Sequence, residues 1–176
     1  MTDASNASPQ KDSDIFKFVS RSVEEPEQLG ERLGRLMSGG DVVALIGELG
    51  SGKTTLIRGL AKGLGIEPDR VKSPTFVLLR EYPAAVPLVH IDGYRLQGEA
   101  SLVWEDLAWV FAPTKVTVIE WADRFARCLP EDHLELQFAH RSTNQRALTL
   151  IAHGQNAQRV LTALESQRDS HEPAGY

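Results

Sequence analysis

Apolar and polar positions change rhythm along this chain, and each change marks an element. Ile15 to Ser20 alternates, as a strand with one wet face does. Ser22-Val23-Glu24-Glu25-Pro26 then combines an N-cap serine, first-turn acids and an early proline, which predicts a helix start. Leu29, Leu33, Leu36 and Met37 give that helix one apolar face, and Gly39-Gly40 ends it. Val42-Val43-Ala44-Leu45-Ile46 is continuously apolar, the pattern of a strand buried on both faces. Beyond it, Leu56, Leu60 and Leu64 return to helical spacing until Gly63-Leu64-Gly65.

The second half repeats the alternation of element types. Phe76 to Tyr82 and Leu88 to Asp92 predict strands separated by a turn from Pro83 to Pro87. Glu99 to Phe111 predicts a helix with Leu102, Val103, Leu107 and Val110 in its apolar set. Val116 to Trp121 is another strand pattern, with an acid near its end, and an irregular or helical stretch follows to Leu129-Pro130. His133 to Phe138 and Ala147 to Ala152 alternate as two late strands, a hairpin around Thr143-Asn144. Asn156 to Glu165 closes the chain with a helix carrying Val160, Leu161 and Leu164 on one face.

Between the apolar strand Val42–Ile46 and the helix after it lies Gly47-Glu48-Leu49-Gly50-Ser51-Gly52-Lys53-Thr54, which fits G-x-x-x-x-G-K-[ST] at every fixed position. Chance produces that pattern in on the order of one chain in two hundred, and the flanking strand and helix make coincidence rarer. Gly47, Gly50 and Gly52 let backbone N–H groups converge on a phosphate at the positive end of the helix. Lys53 would reach the β- and γ-phosphates, and the Thr54 hydroxyl would ligate Mg²⁺. Leu49 to Thr55 therefore form the expected phosphate cradle.

These elements predict an α/β fold of the P-loop NTPase type. Its central sheet is largely parallel and flanked by helices, with antiparallel strands at the edge. One domain is expected over residues 15–165, with a polar tail before it (1–14) and another after it (166–176). Composition changes little in this picture. A hydrophobic content of 41% and a charged content of 24% are ordinary for a globular protein. The net charge of −5 argues against a function built on broad neutralisation of nucleic-acid phosphates. The single Cys128 excludes an internal disulfide and reads as a partly buried small hydrophobe. No membrane span and no signal peptide are predicted, so the expected location is the cytoplasm.

Nucleotide chemistry needs more than the loop. The metal wants an acidic partner, and a water must be oriented. Asp92 and Glu120, both at strand ends, compete for this role; either alone reads equally well as a cap or a surface charge. Two acids together opposite a phosphate loop favour function. Thr75, on Ser73-Pro74-Thr75, reads either as a switch-loop hydroxyl or as a turn residue that starts a strand.

The set G-E-L-G-S-G-K-T-T (47–55), S-P-T-F (73–76), H-I-D-G-Y-R (90–95) and I-E-W (119–121) resembles the TsaE family. That family is the ATPase component of the bacterial machinery making threonylcarbamoyladenosine in tRNA. The resemblance covers roughly residues 18 to 152. It implies ATP and Mg²⁺ as cofactors, Thr54 and Glu120 as metal ligands, and Asp92 acting at the γ-phosphate or its water beside Lys53. It places adenine near Val23 and near Asn144 to Arg146, and makes Trp121 a support for the site or for its coupling to partners. The implied partners are the threonylcarbamoyl-transferase subunit and its dimerising partner, with tRNA reached only through the complex.

Two other functions remain open. A small-molecule kinase on the same core would need a lid, and Arg124 and Arg127 lie where a short one would be. A non-hydrolysing module would bind nucleotide only to control assembly. A GTPase is disfavoured because the sequence contains no Asn-Lys-x-Asp guanine-reading motif.

Overall fold

The computed structural model describes residues 14–22, 24–74, 78–95, 108–142 and 145–169. The strands are β1 (Ile15–Ser20), β2 (Val42–Ile46), β3 (Leu79–Tyr82), β4 (Leu88–Asp92), β5 (Val116–Glu120), β6 (His133–Ser142) and β7 (Gln145–His153). The helices are α1 (Glu25–Leu36), α2 (Lys53–Gly63) and α3 (Gln155–Asp169). All seven strands join one sheet in the order β1-β7-β6-β2-β5-β4-β3.

The sheet is parallel where it carries β2. β5 lies on one side of that strand and β6 on the other, both parallel to it, and β4 extends the parallel block beyond β5. The margins are antiparallel: β3 pairs with β4, β7 with β6, and β1 with β7. The burial follows from the sequence rhythm. Every residue of β4 and β5 is buried, whereas β6 and β7 bury alternate residues over most of their length. Leu134, Leu136 and Phe138 of β6 therefore join the main core with α1, α2 and α3. The other face of β2, β4 and β5 packs Val42, Ala44, Val89, Ile91 and Ile119 against Val110, Ala122 and the partly buried Cys128.

Helices α1 and α2 approach backbone to backbone. A Cβ on Gly30 would lie 2.0 Å from the Leu56 carbonyl oxygen, and one on Gly59 would lie 1.9 Å from that of Glu27. Gly34 and Gly63 repeat the contact one turn on, against Leu60 and Glu31. Two G-x-x-x-G pairs thus mesh without side chains between them. The same close-approach logic governs helix pairs whose interfaces are lined by small residues.

Several boundaries differ from expectation. Glu24, not Ser22, is the N-cap of α1, and it makes no side-chain cap bond. The helix starts here because Pro26 occupies its first turn. Ser22 instead accepts the Glu24 N–H through its hydroxyl at 3.3 Å, while Glu25 reaches back to the Arg21 N–H at 2.7 Å. Phe76 and Val77, where a strand is expected to start, lie outside the described residues, and the described strand runs from Leu79 to Tyr82. Leu78 is left-handed (φ 67°) and donates its N–H to the Pro74 carbonyl at 2.7 Å, a turn that interrupts extension. β5 stops at Glu120, and Trp121 turns left-handed into the 3₁₀ segment Ala122–Cys128. Most of the helix expected from Glu99 lies outside the described residues, of which 108–110 are helical. α3 extends to Asp169, past the expected end.

Candidate nucleotide site

The carboxyl ends of β2, β4, β5 and β6 point the same way, and the loop after β2 rises from that end. Gly52 is the N-cap of α2, in the left-handed region at φ 102°, a conformation glycine takes without steric cost. Leu49 and Gly50 are exposed at the loop tip, Ser51 is buried, and Thr54 and Thr55 are half-buried in the first helical turn. A helix start with this approach gathers N–H donors at its positive end, which suits an anion.

Lys53 is buried and folded over the loop. Its ammonium donates to the Gly47 carbonyl at 2.6 Å and to that of Glu48 at 2.8 Å. It also stands 4.2 Å from the ring centre of Trp121, a cation–π distance. Burial pushes the Lys53 ammonium below the usual lysine range, and the carboxylates of Glu120, Asp92 and Asp123 work against that shift. Trp121 reaches this position because its backbone is left-handed (φ 58°), an arrangement that costs a bulky residue about 1–2 kcal/mol.

The two strand-end acids are direct neighbours. Asp92 and Glu120 face each other in the parallel register of β4 and β5, and both are buried. The Thr54 hydroxyl lies 3.2 Å from each oxygen of Glu120. His90, fully buried on β4, holds Nε2 at 2.8 Å from Glu120 Oε1. A carboxylate only accepts, so His90 Nε2 donates. Asp92 is engaged differently: Oδ2 accepts the Ser73 hydroxyl at 2.6 Å, and Oδ1 accepts the Tyr94 N–H at 2.9 Å. That bond ties the Ser73-Pro74 segment to the end of β4.

Trp121 belongs to a cluster with Tyr94 and Arg124, its ring tilted 57° to that of Tyr94. Its ring lies 5.2 Å from that of Tyr94, and the Arg124 guanidinium is 5.0 Å from both ring centres. Arg124 also donates to the Tyr94 carbonyl. It is exposed, yet its guanidinium is held against the two rings. Arg127 is exposed on the same 3₁₀ segment, and Arg95 closes the 3₁₀ turn Gly93–Arg95.

Of the two segments expected to receive adenine, Val23 and Asn144 lie outside the described residues, as does Thr75. Arg146 is described, and it pairs in register with Ser20, three residues before Val23. Its guanidinium donates to the Ser142 and Gln145 carbonyls at 3.0 and 3.1 Å. The β6–β7 turn and the approach to α1 therefore meet at the loop end of the sheet, although more than a hundred residues separate them.

Sequence reasoning overlooked His90 and Ser73 as partners of the two acids. The signal for His90 was present: a polar side chain inside the apolar run Leu88-Val89-His90-Ile91 needs a buried partner. For Ser73 no local signal exists, because its partner is nineteen residues away.

Oxygen donors suit a hard divalent ion, and the Thr54 hydroxyl beside the Glu120 carboxylate is such a set. The residues present fit Mg²⁺. None of the described helices is long and apolar enough to cross a membrane.

Comparison with known proteins agrees with this geometry. Residues 20–148 match the family model described as threonylcarbamoyl adenosine biosynthesis protein TsaE. The tRNA threonylcarbamoyladenosine biosynthesis protein TsaE of Streptomyces coelicolor is 47% identical over 114 residues, covering 62% of this chain and 76% of its own. The protein of the same name from Treponema pallidum is 41% identical over 140 residues, covering 77% of this chain and 99% of its own. The crystal structure of Bacillus subtilis YdiB superposes with a TM-score of 0.74 at 28% identity, covering 88% of this chain and 96% of that one. A strand–loop–helix phosphate cradle, two paired strand-end acids and a family match across most of the sheet lead to one conclusion: the chain belongs to the TsaE family.

Proposed function

We propose that this chain is a Mg²⁺-dependent ATPase that serves the making of threonylcarbamoyladenosine in tRNA, as a subunit activated by protein partners. The observation that carries the reading is the convergence of Lys53, Thr54, Glu120 and Asp92 at the carboxyl ends of β2, β4 and β5. In this reading Leu49 to Thr55 hold the phosphates, and Lys53 exchanges the Gly47 and Glu48 carbonyls for the β- and γ-phosphates. Thr54 and Glu120 hold the metal, which when bound offsets phosphate charge. Asp92 orients the attacking water or the γ-phosphate. Its bond to Ser73 supports a further role, transmitting the state of the site to the 73–75 loop. The adenine lies toward Val23 and the 144–146 turn, a placement supported by the pairing of Ser20 with Arg146.

Partner activation is supported by the engagement of Arg124, which bonds the Tyr94 carbonyl and lies against Trp121, so that in this arrangement it is not committed to the γ-phosphate. An arginine supplied in trans is worth about 10³–10⁵ in rate. The partners are the threonylcarbamoyl-transferase subunit and its dimerising partner, and tRNA is reached through that assembly. The test measures steady-state ATP hydrolysis by the chain alone and with those two proteins. The expected result is slow turnover alone and a large rise in the complex. Turnover of about 10 s⁻¹ by the isolated chain, unchanged by the partners, overturns the reading.

One observation keeps a small-molecule kinase as the second reading. Arg124, stacked on Trp121 beside Lys53, stands where a lid arginine would approach the phosphates. Phosphoryl transfer to an added acceptor, in place of hydrolysis, would establish it.

A further inference from the structure

At the opposite end of the sheet from the phosphate loop, β6 begins and β7 ends. There His133 and His153 are direct partners in the antiparallel register. Glu135 is two residues along β6 from His133, so all three side chains emerge on one face. It is the face away from Leu134 and Leu136, which point into the helix-covered core. The two imidazole rings stack with centres 4.5 Å apart and planes 18° from parallel.

Two of the three side chains are oriented by a second contact. His133 Nδ1 lies 2.7 Å from the Pro130 carbonyl. A carbonyl only accepts, so Nδ1 carries the hydrogen and Nε2 keeps its lone pair. Glu135 Oε1 accepts the Gln137 side-chain amide at 2.6 Å, which turns Oε2 toward His153. His153 Nε2 is a buried atom with no hydrogen-bond partner among the described residues, and it lies 3.6 Å from Glu135 Oε2, beyond hydrogen-bond reach. Three ligand atoms, one from each residue, lie within 4.8 Å of one another.

We propose that His133, Glu135 and His153 form a binding site for a zinc-class divalent cation, separate from the Mg²⁺ of nucleotide chemistry. Two imidazoles and one carboxylate are a donor set that zinc takes with three protein ligands and one open position. The outer contacts from Pro130 and Gln137 are of the kind that fix tautomer and ring direction in such centres. Bonds of 2.0–2.1 Å put tetrahedral ligand atoms roughly 3.3 Å apart, so closing the site from 4.8 Å needs only small side-chain rotations. Nitrogen ligands discriminate against Mg²⁺, which prefers oxygen. The bound ion would cross-link the start of β6 to the end of β7, just before Gly154 and α3.

The experiment uses the full chain, free of any affinity tag, with Mg²⁺ in millimolar excess. Calorimetric titration with Zn²⁺ is paired with imidazole NMR and with the visible absorption of Co²⁺ as a probe of tetrahedral geometry. The expected result is about one ion per chain, movement of the His133 and His153 ring signals together, and a thermal midpoint raised by Zn²⁺. Glu135→Gln and His153→Gln should each weaken binding at least about tenfold; both side chains sit at the partly exposed margin of the sheet, so these variants should remain folded. Zn²⁺ affinity that is unchanged in both variants, or ring signals that stay still while Zn²⁺ binds elsewhere, overturns the proposal. So does the absence of any binding. ATP hydrolysis does not enter the readout, so failure here leaves the nucleotide reading standing, and the converse also holds.

Discussion

His90 Nε2 lies 2.8 Å from Glu120 Oε1, and the same carboxylate lies 3.2 Å from the Thr54 hydroxyl. Glu120 is thus held between the floor of the sheet and the first turn of α2. A histidine with no exposed surface fixes the direction in which the acid presents its oxygens. His90→Leu stays close in volume and removes the bond. Losing an outer partner of a metal ligand costs about 10–100-fold in metal affinity. The Mg²⁺ concentration for half-maximal hydrolysis should therefore rise by at least about tenfold while the circular dichroism spectrum stays unchanged. An unaltered Mg²⁺ dependence would remove His90 from the site.

Lys53→Ala should abolish ATP binding, or weaken it by at least about tenfold, in a chain that stays folded. The ammonium is buried against two loop carbonyls and an indole, and burial already disfavours its charge. Its removal therefore costs the fold little, whereas a triphosphate loses its main cationic contact. Equilibrium binding of a fluorescent ATP analogue, read beside the thermal midpoint, separates the two effects. Native affinity in the variant would contradict the whole nucleotide assignment.

Glu120→Gln preserves shape and removes charge. The amide can still meet Thr54 and His90, so the thermal midpoint should move by only a few degrees. Hydrolysis in the presence of partners should fall by about 10² or more, the size of effect seen when one preorganised electrostatic contact is lost. ATP binding without Mg²⁺ should be preserved or improved, since a negative charge near the phosphates has gone. A variant that hydrolyses ATP normally would transfer the metal role to Asp92.

Gly30→Ala or Gly59→Ala should destabilise the protein, against the usual benefit of alanine in a helix. A new Cβ would meet a backbone oxygen at about van der Waals overlap, 2.0 and 1.9 Å away, and neither backbone can rotate aside. Overpacking costs about 1–3 kcal/mol or more, set against a gain of about 1 kcal/mol from helix propensity. A net loss of about 2 kcal/mol lowers the thermal midpoint by roughly 4–8 °C for a domain this size. Thermal unfolding of either variant checks this; an unchanged midpoint would mean that the helices can separate freely.

What could be read from the sequence divides along physical lines. The double-sided burial of β2 was legible as an unbroken apolar run, that of β4 and β5 as largely apolar runs, and the one-sided margin as alternation, because burial writes itself into periodicity. The turn from β2 into α2 over Gly47 to Thr54 was legible because left-handed loop backbone calls for glycine at that spacing. The glycines of α1 and α2 were not, since their purpose appears only when another helix arrives. Ser73 meeting Asp92, and Arg124 stacked on Trp121, are likewise products of the tertiary fold and leave no local trace.

Trp121 has an optical consequence. Its indole lies between two cations, the Lys53 ammonium at 4.2 Å and the Arg124 guanidinium at 5.0 Å. A nearby ammonium shifts the emission of an indole through its field, so the ring senses where Lys53 points. When a triphosphate draws the ammonium away from the ring, the emission should change in both colour and yield. Of the other two tryptophans, Trp109 sits beneath Lys115 on another element and supplies a constant background that Trp109→Phe removes. The protein thus carries its own dye, and filling of the phosphate loop can be followed in real time without a label.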